Sequence, residues 1–176
     1  MAVLAIDVVV MSGPAQAATA PGAPSEPSAT PGNAQVGLSW VAPANSGGAA
    51  ITDYRVQYRL SSATAWTTFA DGTSTATTAT VTGLVNASAY SFQIAAINSL
   101  GAGAYSSIVS ATPRTVPGVV TGLSATVGNA QVGLSWGTPA STGGAAITDY
   151  QMQYKLTSAS TWTTLAKTAS ATTTPR

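Results

Sequence analysis

The chain has 176 residues, of which only 6% are charged, and its formal net charge is +1. A typical soluble domain carries about 25% charged residues, and so small a net charge provides no field that would attract nucleic acid. The sequence contains no cysteine and no histidine, which excludes disulfides, thiol chemistry and the commonest general base and metal ligand.

The first twenty residues differ in composition from the rest of the chain. Residues 2–11 are mostly apolar, and Ala15-Gln16-Ala17 has the small-x-small form of a signal-peptidase site. No Lys or Arg precedes the apolar run, and Asp7 interrupts it. The run is shorter than the roughly 20 apolar residues of a membrane-spanning helix. Residues 1–20 are therefore predicted to be a leader, either a degenerate signal peptide or a disordered segment, and no membrane span is expected.

A repeat with an offset of 96 residues covers the remainder. Gly32–Trp40 recurs unchanged as Gly128–Trp136, and residues 21–80 share 36 of 60 positions with residues 117–176 without a gap. The sequence thus predicts a complete domain at 21–116, the first repeat, and a domain at 117–176, the second repeat, which ends as its fifth strand begins. The short Pro-Gly link between them predicts an end-to-end arrangement with limited bending.

Apolar and polar residues alternate with a period of two in successive stretches. These stretches cover residues 34–40, 54–60 and 90–96 in the first repeat, and residues 130–136 and 150–156 in the second. Such alternation predicts strands with one buried face, and short strands separated by turns predict an all-β sandwich. The alternation assigns these residues to the core: Trp40, Tyr54, Val56, Tyr58, Tyr90, Trp136, Tyr150 and Tyr154.

The first repeat resembles the fibronectin type III domains. Trp40 stands where that family has its core Trp on the second strand, and Leu84, six residues before Tyr90, resembles the family's loop leucine and tyrosine corner. The Gly-Gly loop before Ile51 resembles the bacterial branch of the family. The resemblance covers residues 21–116. It implies an immunoglobulin-like sandwich with strands A, B and E in one sheet and C′, C, F and G in the other, with Leu84 in the core.

On this resemblance, the second repeat lacks strands F and G. Tyr150 and Tyr154 would then have little to pack against, and an unpaired apolar strand edge is an aggregation hazard. We therefore expect the chain to be a fragment of a longer protein. A partner that donates the missing strands is the alternative.

Trp66 and Trp162 are the candidate binding residues, because they lie in short Thr-rich strands near a sheet edge. An edge Trp can stack on a sugar ring or a partner side chain, although each ring could equally cover its own sheet. Asp53 and Asp149 occupy equivalent positions of different repeats, which separates them by far more than the roughly 5–10 Å of a glycosidase carboxylate pair. No catalytic, cofactor-binding or metal site is predicted.

These features favour a non-catalytic spacer or interaction module of a secreted or cell-surface protein of bacterial type. It would lie outside the cell, beside other modules of the same polypeptide, and would bind an unidentified protein or glycan but no nucleic acid. Two alternatives remain open. One is an accessory module of a polysaccharide-degrading glycoside hydrolase whose catalytic domain lies elsewhere, and the other is an adhesin-like binding module.

Overall fold

A computed structural model describes residues 17–173 of the chain. Within these residues the regular elements are antiparallel β-strands, so the predicted all-β class is confirmed. In the same residues, no helix is long and apolar enough to cross a bilayer. The predicted leader lies outside the described residues, except for residues 17–20.

The strands of the first repeat form two sheets. The first sheet contains, in spatial order, β1 (Ser25–Gly32), β2 (Gln35–Val41) and β5 (Thr78–Thr82). The second sheet contains, in spatial order, β4 (Thr67–Thr68), β3 (Ile51–Leu60), β6 (Tyr90–Asn98) and β7 (Gly101–Tyr105), with β8 (Val109–Ala111) also paired to β6. This order is the division into A-B-E and C′-C-F-G that the resemblance implies.

The core lies between the two sheets and follows from the period of two along each strand. Val36, Leu38 and Trp40 of β2 point inward and belong to one buried cluster with residues of β3, β5 and β6. The central residues of that cluster have no exposed surface: Val36, Val56, Val81, Phe92 and Ile94. Burying one such side chain stabilises a fold by about 1.5–3 kcal/mol, so the packing of the first sheet against the second dominates the stability of this repeat.

A hydrogen bond from the backbone to Tyr90 closes one end of the sandwich. The N–H of Val85 donates to the Tyr90 hydroxyl at 3.2 Å, and Leu84 beside it is buried. The Tyr90 ring packs between Tyr58 and Phe92, with ring centroids 6.3 Å and 6.4 Å away. The connection before β6 is therefore fixed by both burial and a polar contact, as in a tyrosine corner.

The second repeat folds into two two-stranded sheets in its described residues. One contains β9 (Thr121–Gly128) and β10 (Gln131–Gly137), and the other contains β11 (Gln153–Tyr154) and β12 (Thr163–Thr164). Trp136, Tyr150 and Met152 form a small buried cluster. The backbone N–H of Trp136 donates to the Thr173 carbonyl at 3.2 Å, as the backbone N–H of Trp40 donates to the Thr77 carbonyl at 3.0 Å in the first repeat.

Tyr154 was predicted to be a core residue, and this prediction is wrong. Its side chain is 59% exposed, and the strand predicted at 150–156 shortens to the two residues of β11. The equivalent Tyr58 is partly buried because Phe69 and Tyr90 pack against its ring. The described residues of the second repeat contain no strand equivalent to β6, so nothing covers Tyr154 on that side.

The substitution Tyr90→Phe tests the closure before β6. Removal of the hydroxyl deprives the Val85 N–H of its acceptor, and a lost hydrogen bond of this kind costs about 1 kcal/mol. We expect the thermal midpoint of the first repeat to fall by about 4–8 °C in calorimetry. Tyr105→Phe is the matched control, since Tyr105 is only half-buried in β7. An equal midpoint for the two variants would contradict this role of the hydroxyl.

Candidate functional site

Trp66 and Trp162, the predicted binding residues, each lie directly before a short edge strand, β4 or β12. In both repeats a cation lies over the indole ring. The Arg59 guanidinium carbon is 4.7 Å from the centroid of the Trp66 ring, and the Lys155 ammonium is 5.4 Å from that of Trp162. Such cation–π contacts are worth about 0.5–1 kcal/mol at exposed sites.

Each cation is also bonded to the turn that follows its strand. Arg59 donates from Nη1 to the Ala63 carbonyl, and Lys155 donates from Nζ to the equivalent Ala159 carbonyl at 3.0 Å. Cation, ring and turn therefore form one local unit in each repeat. A sugar needs a free ring face to stack on, and in both repeats the cation occupies one face. Glycan binding by these rings stays a prediction, and the two rings belong to different repeats rather than to one site.

The carboxylates Asp53 and Asp149 hold a loop in place. Asp53 Oδ1 accepts a hydrogen bond from the Ser74 N–H at 2.9 Å, and Asp149 Oδ1 accepts the same bond from the Ser170 N–H at 2.9 Å. A carboxylate that caps a backbone N–H organises a turn. These contacts give both carboxylates a structural role in their loops.

The charge beside this carboxylate reverses between the repeats. Asp71 lies near Asp53, and burial first, then the charge of Asp53, raises the pKa of the Asp71 carboxyl above its ordinary value. The equivalent residue in the second repeat is Lys167, which forms an ion pair with Asp149. Its hydrogen bond to the carboxylate, followed by that of the Ser170 N–H, lowers the pKa of Asp149. In this loop, Asp71 and Asp53 therefore repel each other in the first repeat, whereas Lys167 and Asp149 attract each other in the second.

The segment that enters each repeat is held by the Gly-Gly loop before the third strand. The Thr19 N–H donates to the Gly47 carbonyl at 2.7 Å, and the Thr115 N–H donates to the Gly143 carbonyl at 2.7 Å. Gly47 and Gly143 have φ angles of 78° and 74°. A Cβ there would lie within 2.2 Å of the entering backbone, so no other residue fits these two positions.

Between the repeats, this loop becomes part of a joint. We use that name for residues 113–118 together with the backbone groups that they contact on either side. The Arg114 N–H donates to the Gly32 carbonyl at 2.9 Å, and the Ala87 N–H donates to the Pro113 carbonyl at 2.9 Å. A Cβ on Gly144 would lie 3.1 Å from both the Ala87 nitrogen and the Pro113 oxygen. The backbones of the two repeats therefore approach each other closely at Gly144.

The joint was not predicted from the sequence, where the Gly-Gly pair indicated only a loop. The available signal was the recurrence of Gly47-Gly48 as Gly143-Gly144 together with the short link. Ala87, the residue on the other side of the contact, has a φ of 66°. Nothing in its sequence neighbourhood marks it as a contact residue.

The chain is similar to known proteins over its first repeat. The family profile described as fibronectin type III domain matches residues 22–112, a little over half of the chain. A crystal structure of titin domains matches with a TM-score of 0.50 and 27% identity, covering 53% of this chain and 32% of that one. A structure of the titin kinase with its flanking domains matches with a TM-score of 0.50 and 28% identity, covering 55% and 18%. This chain spans about a third or less of each titin structure.

The raised pKa of Asp71 predicts a pH dependence. The folded state binds the proton of this carboxyl more tightly than the unfolded state does. Protonation of Asp71 therefore stabilises the folded state. This contribution is complete below the ordinary pKa of 3.8 and is lost as the pH rises through the raised pKa that the carboxyl has in the folded chain. We expect Asp71→Asn to raise the unfolding free energy at pH 7, by less than about 0.5 kcal/mol because the site is exposed, and to have no such effect at pH 3. Thermal unfolding of both chains at the two pH values measures this, and a destabilised variant at pH 7 would contradict it.

Proposed function

We propose, since this chain belongs to the fibronectin type III domain family, that it is a non-catalytic spacer of a secreted or cell-surface protein. We further infer that residues 117–176 are a second, tandem domain of the same family. The observation that carries the proposal is the joint, whose backbone groups are bonded to both repeats. A spacer that holds other parts of a protein at a set distance needs a connection of this kind.

The bonds of the joint act against the flexibility that a short Gly-containing link would otherwise have. Two of them anchor residues 113–114 to the first repeat, through Gly32 and Ala87, and two anchor residues 115–118 to the second, through Ser141 and Gly143. Each such hydrogen bond contributes about 0.5–1.5 kcal/mol. Together with the close approach at Gly144, they favour one relative orientation of the repeats.

The segment that enters the first repeat is held in the same way, which supports a role in an array. The Gly22 N–H donates to the Asn45 carbonyl at 2.8 Å, as the Gly118 N–H donates to the Ser141 carbonyl at 2.9 Å. Asn98 adds two side-chain hydrogen bonds, to the carbonyls of Thr19 and Ser46. A repeated connection of this type places successive domains with a constant offset, as in other modular arrays.

The glycan-binding alternatives depend on Trp66 and Trp162. Trp162 is 59% exposed, which favours its availability to a ligand. Trp66 is half-buried under Arg59, and this covering opposes stacking on a sugar. The spacer is therefore the better supported function. The proposed location outside the cell is based on the composition of the chain. The proposed bacterial type is based on the Gly-Gly loop.

The substitution Gly144→Ala tests the joint. A Cβ at this position would lie 3.1 Å from backbone atoms of both Ala87 and Pro113, so these atoms must give way by a few tenths of an ångström, which loosens the contact between the repeats. The chain has no cysteine, so spin labels on Ala42→Cys and Thr138→Cys, at equivalent exposed positions, report the distance between the repeats. We expect a narrow distance distribution in the parent chain and a markedly broader one in the variant.

Gly48→Ala is the matched control for this measurement. Gly48 has a φ of 81°, close to the 93° of Gly144, so an alanine meets similar backbone strain. A Cβ at Gly48 would come no closer than 3.6 Å to another atom. The control should keep the narrow distribution. A broad distribution in the parent chain, or an unchanged one in Gly144→Ala, would contradict the spacer proposal.

A further inference from the structure

The first repeat contributes three segments to the joint, and these segments are distant from one another in sequence. They are the turn between β1 and β2, the loop between β5 and β6, and the link that follows β8. The link is bonded to both of the others: the Arg114 N–H donates to the Gly32 carbonyl, and the Ala87 N–H donates to the Pro113 carbonyl, each at 2.9 Å. The position of the link therefore depends on how the turn and the loop are held relative to each other.

The side chain of Asn86 joins the loop to the turn. Its Oδ1 accepts a hydrogen bond from the Ala34 N–H at 2.9 Å, and its Nδ2 donates to Oδ1 of Asn33 at 2.8 Å. A backbone N–H can only donate, so the Ala34 N–H requires the oxygen of the amide and leaves the nitrogen for Asn33. Both ends of the amide are therefore used by the turn, and the next residue is Ala87, which meets Gly144.

The turn adopts its conformation without these bonds. Ala34 has a φ of 53°, a left-handed conformation that is uncommon for alanine. Ala130 stands at the same position of the identical sequence in the second repeat, and its φ is also 53°. Within the described part of that repeat, no side chain is hydrogen-bonded to the Ala130 N–H. The bonds of Asn86 therefore do not shape the turn, and their effect is on the loop.

The two ends of the loop are held by different means. At its start, the Leu84 side chain is buried and the Leu84 N–H donates to the Ala34 carbonyl at 3.0 Å. Ala87 is exposed, so burial does not hold it in place, and its φ of 66° is again uncommon for alanine. The position of Ala87 therefore depends on polar contacts, above all on those of its neighbour Asn86.

We infer that Asn86 is the positioning residue of the joint, an inference that rests on the spacer proposal. Its amide holds Ala87 where the Ala87 N–H reaches the Pro113 carbonyl and where the backbone lies against Gly144. Loss of either amide bond lets Ala87 move away from both, while the anchor at Leu84 keeps the sandwich closed. A side chain outside the link and outside the second repeat thus determines how closely the two repeats are held together.

The substitution Asn86→Asp in the full chain tests this inference, with spin labels again on Ala42→Cys and Thr138→Cys. The carboxylate keeps an acceptor but has no donor for Asn33, so two oxygens would face each other across the former hydrogen bond. We expect the distribution of distances between the repeats to broaden markedly, as in Gly144→Ala. Calorimetry should still show a cooperative transition of the first repeat, because its core is unchanged.

Substitutions of the exposed Asn33 provide a second test that leaves the loop sequence intact. Asn33→Ala removes the acceptor of the Asn86 Nδ2–H and should broaden the distribution in the same direction. Asn33→Asp is the conservative variant, since its carboxylate still accepts that bond, and it should keep the narrow distribution of the parent chain. Equal distributions in the two Asn33 variants would overturn the inference.

Asn98→Ala is the control that separates position from stability. Asn98 ends β6, whereas the loop that contains Asn86 precedes the start of that strand. Its Nδ2 donates to the carbonyls of Thr19 and Ser46 at 2.7 Å and 2.9 Å, and it is buried. We expect Asn98→Ala to lower the thermal midpoint of the first repeat at least as much as Asn86→Asp does, and to leave the distance distribution narrow.

The outcomes distinguish this inference from the spacer proposal. A broad distribution in the parent chain contradicts the spacer proposal and this inference with it. A distribution that broadens in Gly144→Ala but stays narrow in Asn86→Asp overturns the role of Asn86 alone. Equal broadening in Asn98→Ala and Asn86→Asp also overturns that role, because the effect would then follow the stability of the first repeat and not the position of Ala87.

Discussion

The structure depends on the burial of one face of β2 beneath the second sheet, with β5 extending the same buried face beside it. Val36, Leu38 and Trp40 become a core because Val81 lies beside them in the same sheet and Phe92 and Ile94 come from the facing sheet. The second repeat shows what the same strand does when the described chain offers no such cover. It keeps its pairing with the preceding strand and a small aromatic cluster around Trp136, but Val132 is 59% exposed and Leu134 is only partly buried. Pairing of β2 or β10 with the strand before it therefore needs only neighbouring segments of the chain, whereas formation of the core needs segments that are distant in sequence.

The joint connects the two repeats without the use of charged side chains. Its contacts are backbone hydrogen bonds and a glycine that allows two backbones to approach, not ion pairs. Such contacts are insensitive to salt, unlike surface electrostatics. Within the described residues, the single ion pair, Lys167 with Asp149, lies in a loop and joins only residues of the second repeat.

The sequence was sufficient for the strands, the two-sheet order and the family of the first repeat. Alternation is a local signal, and it indicated the inward face that contains Trp40, whereas the resemblance to the fibronectin type III domains implied the two-sheet order and the closure at Tyr90. These signals follow the chain locally. They were insufficient where the outcome depends on distant segments. Tyr154 has the same alternation as Tyr58, but its burial depends on a strand some thirty residues further along. The joint contact depends on Ala87, which is distant in sequence from Gly144 and has no motif of its own.

Residue-resolved amide hydrogen exchange of the intact chain, measured by NMR, tests the central claim most directly. The identical sequences of residues 32–40 and 128–136 have the same intrinsic exchange rates, so any difference in protection reflects structure alone. A closed core should open only by global unfolding, at a cost of about 5 kcal/mol or more, whereas an uncovered strand opens locally at little cost. The account predicts that amides of β2 exchange at least about a thousandfold more slowly than their equivalents in β10. Similar protection in the two strands would contradict it.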